Sequence, residues 1–258
     1  MVAADLHVHT TNSDGTLTLE TLPGTAREAG VGAVAVTDHD RLHPDLRAPV
    51  TDVGGVTVIH GLELRVDSPA GRIDLLGYGT ERTGALAAEL DRLQADRIER
   101  ARAIVDCVES RLGVDLEVAF EPGVGRPHVA SAIADSPADV GYGEAFAEYI
   151  SDDCPCYVSR AVPGFDRGRE LLAGACGLVV LAHPLRYDDP GAALDLAADL
   201  DGVERHYPYG RTVDPGPVER AIERHDLIPT GGSDAHDDRL GRAGLGEDEY
   251  QRVRARVG

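Results

Sequence analysis

Val2-Ala3-Ala4-Asp5-Leu6-His7-Val8-His9 carries an apolar run straight into two histidines. The run reads as a buried strand. On extended backbone, side chains at i and i+2 share a face, so His7 and His9 can reach one ion together. Asp14-Gly15 follows, a carboxylate placed on a turn. The arrangement then recurs along the chain. Ala33 to Thr37 leads into Asp38-His39-Asp40, Val56 to Ile59 into Gly61-Leu62-Glu63, Leu178 to Ala182 into His183-Pro184, and Leu227 to Thr230 into Gly232-Ser233-Asp234-Ala235-His236. Ile73 to Leu76 and Val203 to Tyr207 add two more strands. Helical patterns lie between them, such as Leu19 to Ala29 with Gly30 as its C-cap. A β-then-α alternation with this many near-continuous apolar strands argues for a parallel α/β barrel. In such a barrel the strand ends lie on the carboxyl-terminal rim, where barrel active sites are built.

One segment departs from that rhythm. From Thr83 to Leu112, residues Leu86, Leu90, Leu93, Ile104, Val108 and Leu112 form a helical stripe with charged residues on the other faces. The stretch beyond it, to about Phe165, holds short helical patterns among Pro, Gly and Asp clusters. The expected organisation is a barrel of residues 1–82 and 166–258 with a mostly helical insertion, 83–165, for which a lid over the site is one reading and, for its first half, a solvated outer helix of the barrel the other.

Composition restricts the chemistry. The 258 residues include 45 Asp and Glu against 25 Lys and Arg, and every one of those 25 is Arg. Without an ε-amine, Schiff-base chemistry, a P-loop lysine, a lysine base and a carboxylated-lysine metal bridge are all excluded. A net charge of −20 opposes binding to duplex DNA, which requires a basic surface. A small anion remains possible wherever metals or Arg supply local positive charge. The acidic, lysine-free composition resembles that of proteins from extreme halophiles. No apolar run reaches membrane-spanning length and no secretory leader pattern opens the sequence, so the expected setting is the cytoplasm. Cys107, Cys154, Cys156 and Cys176 lack zinc-site spacing. Free thiols are the expectation, with a Cys154–Cys156 metal or redox pair the lesser alternative.

A single histidine after a strand is usually a packed side chain. Several strand ends delivering His, Asp and Glu to one rim are different, because so many buried ionisable groups would oppose one another without a cation. Taken in order, Asp5-Leu6-His7-Val8-His9-Thr10 with Ser13-Asp14-Gly15, Thr37-Asp38-His39-Asp40, Glu63, Arg126-Pro127-His128, Ala182-His183-Pro184 and Gly232-Ser233-Asp234-Ala235-His236 resemble the motif series of the PHP (polymerase and histidinol phosphatase) family. The resemblance implies a distorted (β/α)7 TIM-like barrel that hydrolyses phosphoesters with two to three divalent metal ions. It further implies that His7, His9, Glu63 and Asp234 hold a first metal. Glu63 with His128 and His183 would hold a second, and Asp14, His39 and His236 a third. Mixed nitrogen and oxygen ligation suits Mn²⁺, Zn²⁺ or Fe²⁺.

Arg126-Pro127-His128-Val129-Ala130-Ser131 and His183-Pro184-Leu185-Arg186-Tyr187 resemble the branch that removes the 3′-phosphate of nucleoside 3′,5′-bisphosphates and that also acts on short 5′-phosphorylated RNA. By that resemblance Arg126 and Ser131 grip the second phosphate; Arg186 is a further phosphate-binding candidate, with a rim salt bridge as the alternative for either Arg. The expected chemistry is attack by a metal-bridged hydroxide, with Asp234 or a nearby His accepting or relaying the proton, and with His206, at another strand end, available to protonate the leaving oxygen or support a ligand, or equally a packed rim histidine. His43, His60 and His225 match no motif and are expected to be structural or exposed. The alternatives are a histidinol-phosphate phosphatase and a non-catalytic metal-binding PHP module. A small phosphorylated nucleotide is the expected partner.

Overall fold

The computed structural model describes residues 2–258. Its strands are β1 (Ala4–Val8), β2 (Ala33–Val36), β3 (Val50–Val53), β4 (Val56–Ser68), β5 (Gly71–Tyr78), β6 (Leu178–Leu181), β7 (Gly202–His206) and β8 (Ile228–Gly231). The helices are α1 (Leu22–Glu28), α2 (Gly84–Leu112), α3 (Arg126–Asp135), α4 (Tyr142–Ala145), α5 (Phe165–Ala173), α6 (Pro190–Leu196), α7 (Gly216–His225) and α8 (Glu247–Val257). The chain divides into two compact units, one running up to Ala88 and resuming over Val162–Gly258, the other Glu89–Ala161.

The first unit is the barrel. Its sheet runs β1-β2-β4-β5-β6-β7-β8, with β3 paired to β4 off this path. The barrel closes where His9 donates its N–H to the Ala235 carbonyl at 2.9 Å and Ala235 donates back to His7 at 3.2 Å. Every strand read from the sequence is present, but they are not all parallel. β5 is antiparallel to both β4 and β6, following β4 in a hairpin. β4 also continues past Glu63 to Ser68, so Glu63 projects from mid-strand and does not end one. These two departures distort the barrel, and they have one cause. The two-residue connection between Ser68 and Gly71 has no room for the crossover helix that a parallel return needs.

Alternation along the strands divides the apolar residues into two layers. Ala4, Leu6, Ala33, Ala35, Ile59, Leu76, Tyr78, Leu178, Val180 and Ala182 form one cluster with Tyr250, Val253 and Val257 of α8, which thus seals the barrel interior. Val8, Val34, Val36, Val56 and Val58 pack on the other side with Leu22 and Ala26 of α1.

The second unit has its own core, in which Ile104, Val105 and Val108 of α2 meet Val129, Ala130 and Ile133 of α3. The expectation of free thiols fails here for two of the four cysteines. Cys107 on α2 is disulfide-bonded to Cys156 across 49 residues. The two Cα atoms lie 5.5 Å apart, a closeness produced by the packing of this unit that local spacing cannot show. Cys154 and Cys176 remain free.

Candidate metal centre

Strict alternation from Ala4 and Leu6 would put Val8 inside the barrel and turn His7 and His9 outward. A bulge reverses this. Asp5 pairs with Val34 and Val8 with Val36, so Leu6 and His7 together oppose Ala35 alone. The extra residue turns Val8 into the outer layer and His7 and His9 into the interior, where both are fully buried. β8 returns closely beside them. A Cβ on Gly232 would lie 2.3 Å from the His7 nitrogen, so only glycine fits there.

Two buried carboxylates hold the loops that carry the polar groups. Asp38 accepts hydrogen bonds from Thr10 N–H (2.7 Å), Thr10 Oγ1 (2.8 Å), Asn12 Nδ2 (3.1 Å) and Ser13 Oγ (2.8 Å), which fixes the turn leading to Asp14. Asp5 accepts from Ser233 N–H (2.8 Å), Ser233 Oγ (2.6 Å) and Gly241 N–H (2.8 Å), which fixes the segment bearing Asp234.

These elements bring three groups of ligand-competent atoms together: His7, His9 and Glu63; His9, Asp14, His39 and His236; and Glu63, Asp74 and His183. Asp234 joins the first, with Oδ1 3.1 Å from His9 Nε2 and 3.5 Å from His7 Nε2. Glu63 is common to two of them. Its Oε1 meets His183 Nε2 at 3.0 Å, and its Oε2 lies 2.7 Å from His39 Nδ1 and 3.5 Å from both His7 and His9 Nε2. His236 Nε2 is 3.4 Å from Asp14 Oδ1.

The environment is that of a cation site. His7 Nε2, both His9 nitrogens, Asp14 Oδ1 and Glu63 Oε2 are buried without a hydrogen-bond partner, although charged or polar neighbours approach within salt-bridge distance. Such groups are costly to bury unless something else satisfies them. Burial pushes the Glu63 carboxyl up, but His39, His7 and the hydrogen bond from His183 prevail and hold it well below the usual carboxylate range. Burial, with His39 and His236 nearby, lowers His9 and leaves it a neutral ligand. His183 and Asp234 both have positive φ, 28° and 49°, backbone conformations that cost non-glycine residues on the order of 1–3 kcal/mol each. The closed barrel and the Asp5 contacts over-determine them.

Several participants were not legible beforehand. Asp74 was missed because a parallel β5 would put it at the end remote from the rim, whereas the antiparallel hairpin brings it beside His183, 3.7 Å from Nε2. Glu204, with no exposed surface, accepts from His7 Nδ1 (3.0 Å) and from the His183 N–H (2.7 Å). Tyr207 donates its hydroxyl to Asp234 Oδ2 at 2.7 Å and accepts from Arg186 at 2.9 Å. Only the alternation inward from Gly202 to Glu204 hinted at one of these.

Arg186 reaches Asp234 Oδ2 at 3.1 Å while staying half exposed, so it borders the cluster. His206 is joined instead to Glu249 (3.2 Å) and to Arg205 (2.9 Å), after a register shift in β7 between Glu204 and His206. Arg126, His128 and Ser131 lie on α3 of the second unit. There Arg126 pairs with Asp152 at 3.0 Å, the His128 ring accepts from the Gly125 N–H at 3.1 Å, and His128 and Ser131 are exposed. His43 and His60 prove buried.

The PHP domain model matches residues 5–124. A phosphoribosyl 1,2-cyclic phosphate 1,2-diphosphodiesterase of Eggerthella lenta is 31% identical, covering 90% of this chain and 93% of that protein. The chain belongs to the PHP domain family. Another PHP relative is a 3′,5′-nucleoside bisphosphate phosphatase of Chromobacterium violaceum, 28% identical over 92% of this chain and 88% of that one. A Chromobacterium violaceum amidohydrolase, solved with sulfate and without metal, superposes with a TM-score of 0.79 at 25% identity, covering 98% and 96% of the two chains. Among the described residues of this PHP chain, no helix is long and apolar enough to cross a membrane.

Proposed function

We propose that this PHP-domain protein is a metal-dependent phosphoesterase whose substrate is a nucleoside 3′,5′-bisphosphate, from which it removes the 3′-phosphate. The observation that carries the reading is the set of buried, unpartnered ligand atoms converging on Glu63. A packed structural core would not leave His7, His9, Asp14 and Glu63 unsatisfied together. The phosphatase relative in Chromobacterium violaceum supports the substrate class.

His7, His9, Glu63 and Asp234 would hold one divalent ion, and Asp14, His39 and His236 another. Bound ions supply Lewis-acid charge on phosphoryl oxygens and make a water nucleophilic at neutral pH. The side chains do the rest. Glu204 holds His7 so that Nε2 faces Glu63 and Asp234. Tyr207 and Arg186 occupy Asp234 Oδ2 and leave Oδ1 turned toward the histidines. Burial pushes the Asp234 carboxyl up, but His7 and His9 prevail and hold it well below the usual carboxylate range, which favours ligation over proton transfer as its role. Arg186, half exposed beside Asp234, is placed to bind a phosphoryl oxygen. Arg126 and Ser131 keep their proposed role at the second phosphate.

Phosphate release should be measured on adenosine 3′,5′-bisphosphate, histidinol phosphate, a 1,2-cyclic ribose phosphate and short 5′-phosphorylated RNA. A preference for the bisphosphate of at least tenfold in kcat/KM supports the reading. Preference for the cyclic diester or for histidinol phosphate overturns the substrate assignment, and inactivity on all four with metal bound returns the chain to a metal-binding module.

A further inference from the structure

The three ligand groups differ in one respect. In the two that contain His9, buried ligand atoms lack hydrogen-bond partners. In the group of Glu63, Asp74 and His183, the His183 Nδ1 atom also lacks a partner, but the atoms that face one another are paired. Glu63 Oε1 and His183 Nε2 are 3.0 Å apart, and both Asp74 oxygens are taken by one guanidinium, with Arg65 Nε at 2.7 Å from Oδ1 and Nη2 at 2.6 Å from Oδ2. Asp234 offers the contrast, since its Arg and Tyr partners both bind Oδ2 and leave Oδ1 for an ion. A bidentate Arg–carboxylate pair is a strong, geometrically fixed interaction, and here the carboxylate is only 2% exposed.

From this geometry we infer that Arg65 supplies the third cation of the centre. The chain binds two divalent ions, and the Arg65 guanidinium occupies the charge position at Asp74. The Nη1 edge of Arg65 has no partner among the described residues, and the side chain is 36% exposed. It therefore presents a donor edge to a phosphoryl oxygen, where a third ion would otherwise present an open coordination position. A fixed guanidinium binds the oxyanion and stabilises charge that develops on it, but it does not activate water. Nucleophile formation is thereby confined to the two groups that share His9. The inference rests on the phosphoesterase reading only for the identity of the oxyanion; the ion count stands apart from it.

The test is elemental analysis of the Mn²⁺-loaded, desalted protein, together with anomalous scattering from Mn²⁺-loaded crystals. The expected result is two ions per chain, with no anomalous peak between Glu63, Asp74 and His183. Arg65→Met frees Asp74, so a third ion should bind while affinity for inorganic phosphate, measured calorimetrically, falls at least tenfold. Three ions in the parent protein, or three reduced to two by His128→Ala, would overturn the inference. So would an Arg65→Met protein that folds with both ion count and phosphate affinity unchanged. If that variant does not fold, the anomalous map of the parent protein decides alone. Two ions and an Arg65-dependent phosphate affinity in a protein that hydrolyses no phosphoester would leave this inference standing and remove the phosphoesterase reading; turnover with three ions would do the reverse.

Discussion

His7 depends on Glu204 for its tautomer. A buried carboxylate accepts but cannot donate, so Nδ1, 3.0 Å away, carries a proton and Nε2 is the nitrogen offered to an ion. Glu204→Gln replaces that acceptor with an amide able to donate, and the proton can move to Nε2. Metal affinity should fall about 10- to 100-fold, the usual cost of losing such a support, with little change in far-UV circular dichroism; an unchanged metal titration would show that Glu204 does not orient the ring. His60 offers a prediction about stability at the same scale. Burial first, then the neighbouring His43, lowers its imidazole to about 4. The folded state therefore holds this histidine neutral while the unfolded chain protonates near 6.5. The stability tied to this group is full above pH 6.5 and is lost as pH falls toward 4, on the order of 3 kcal/mol in all. His60→Leu should flatten the denaturation midpoint across that window, and an identical pH profile for the variant would rule this out.

The β-bulge in β1 is the element on which the centre turns. The i, i+2 spacing of His7 and His9 showed that they share a face, but not which face, because alternation from Leu6 points the other way. Only the pairing of β1 with β2 resolves it. Glu63 and Asp74 make the same point for the β4–β5 hairpin. Read as parallel strands, they lie at opposite ends of the barrel; folded back, they meet at His183. Gly232 makes the bulge possible by letting β8 approach the His7 backbone. Gly232→Ala would force a clash within 2.4 Å of both the His7 nitrogen and Cβ, so β1 or β8 must shift. A stability loss of about 1–3 kcal/mol is expected, together with weakened metal binding, since overpacking a close contact displaces backbone. A variant with parental Tm and metal content would count against the close approach.

At the scale of the whole molecule, the two units should answer to different reagents. Ions that bind only the folded barrel stabilise it by mass action, about 2.7 kcal/mol at a hundredfold excess over Kd, so chelation should lower the thermal transition of the barrel. The Cys107–Cys156 bond closes a long loop within the second unit, where loop-closure entropy is worth roughly 4 kcal/mol. Reductant should therefore destabilise the segment Glu89–Ala161, seen as faster proteolysis there, with the barrel transition unmoved. Calorimetry with chelator and with reductant separately checks both, and one shared transition shifted equally by either reagent would refute this independence.

Composition and order along the chain determined a great deal unaided. A protein without lysine must take its positive charge from Arg and metals, and ligand-bearing residues after successive apolar runs already implied a barrel with a metal cluster at its rim. Those are properties of local pattern, since a strand and the turn that follows it are written in adjacent residues. The tertiary structure alone decided the inward turn of His7 and His9, the recruitment of Asp74, Glu204 and Tyr207, the placing of His206 against Glu249, and the Cys107–Cys156 bond. Each depends on which strand pairs with which, in what direction and register, and on contacts between residues far apart in the chain, and none of these is encoded by any single segment.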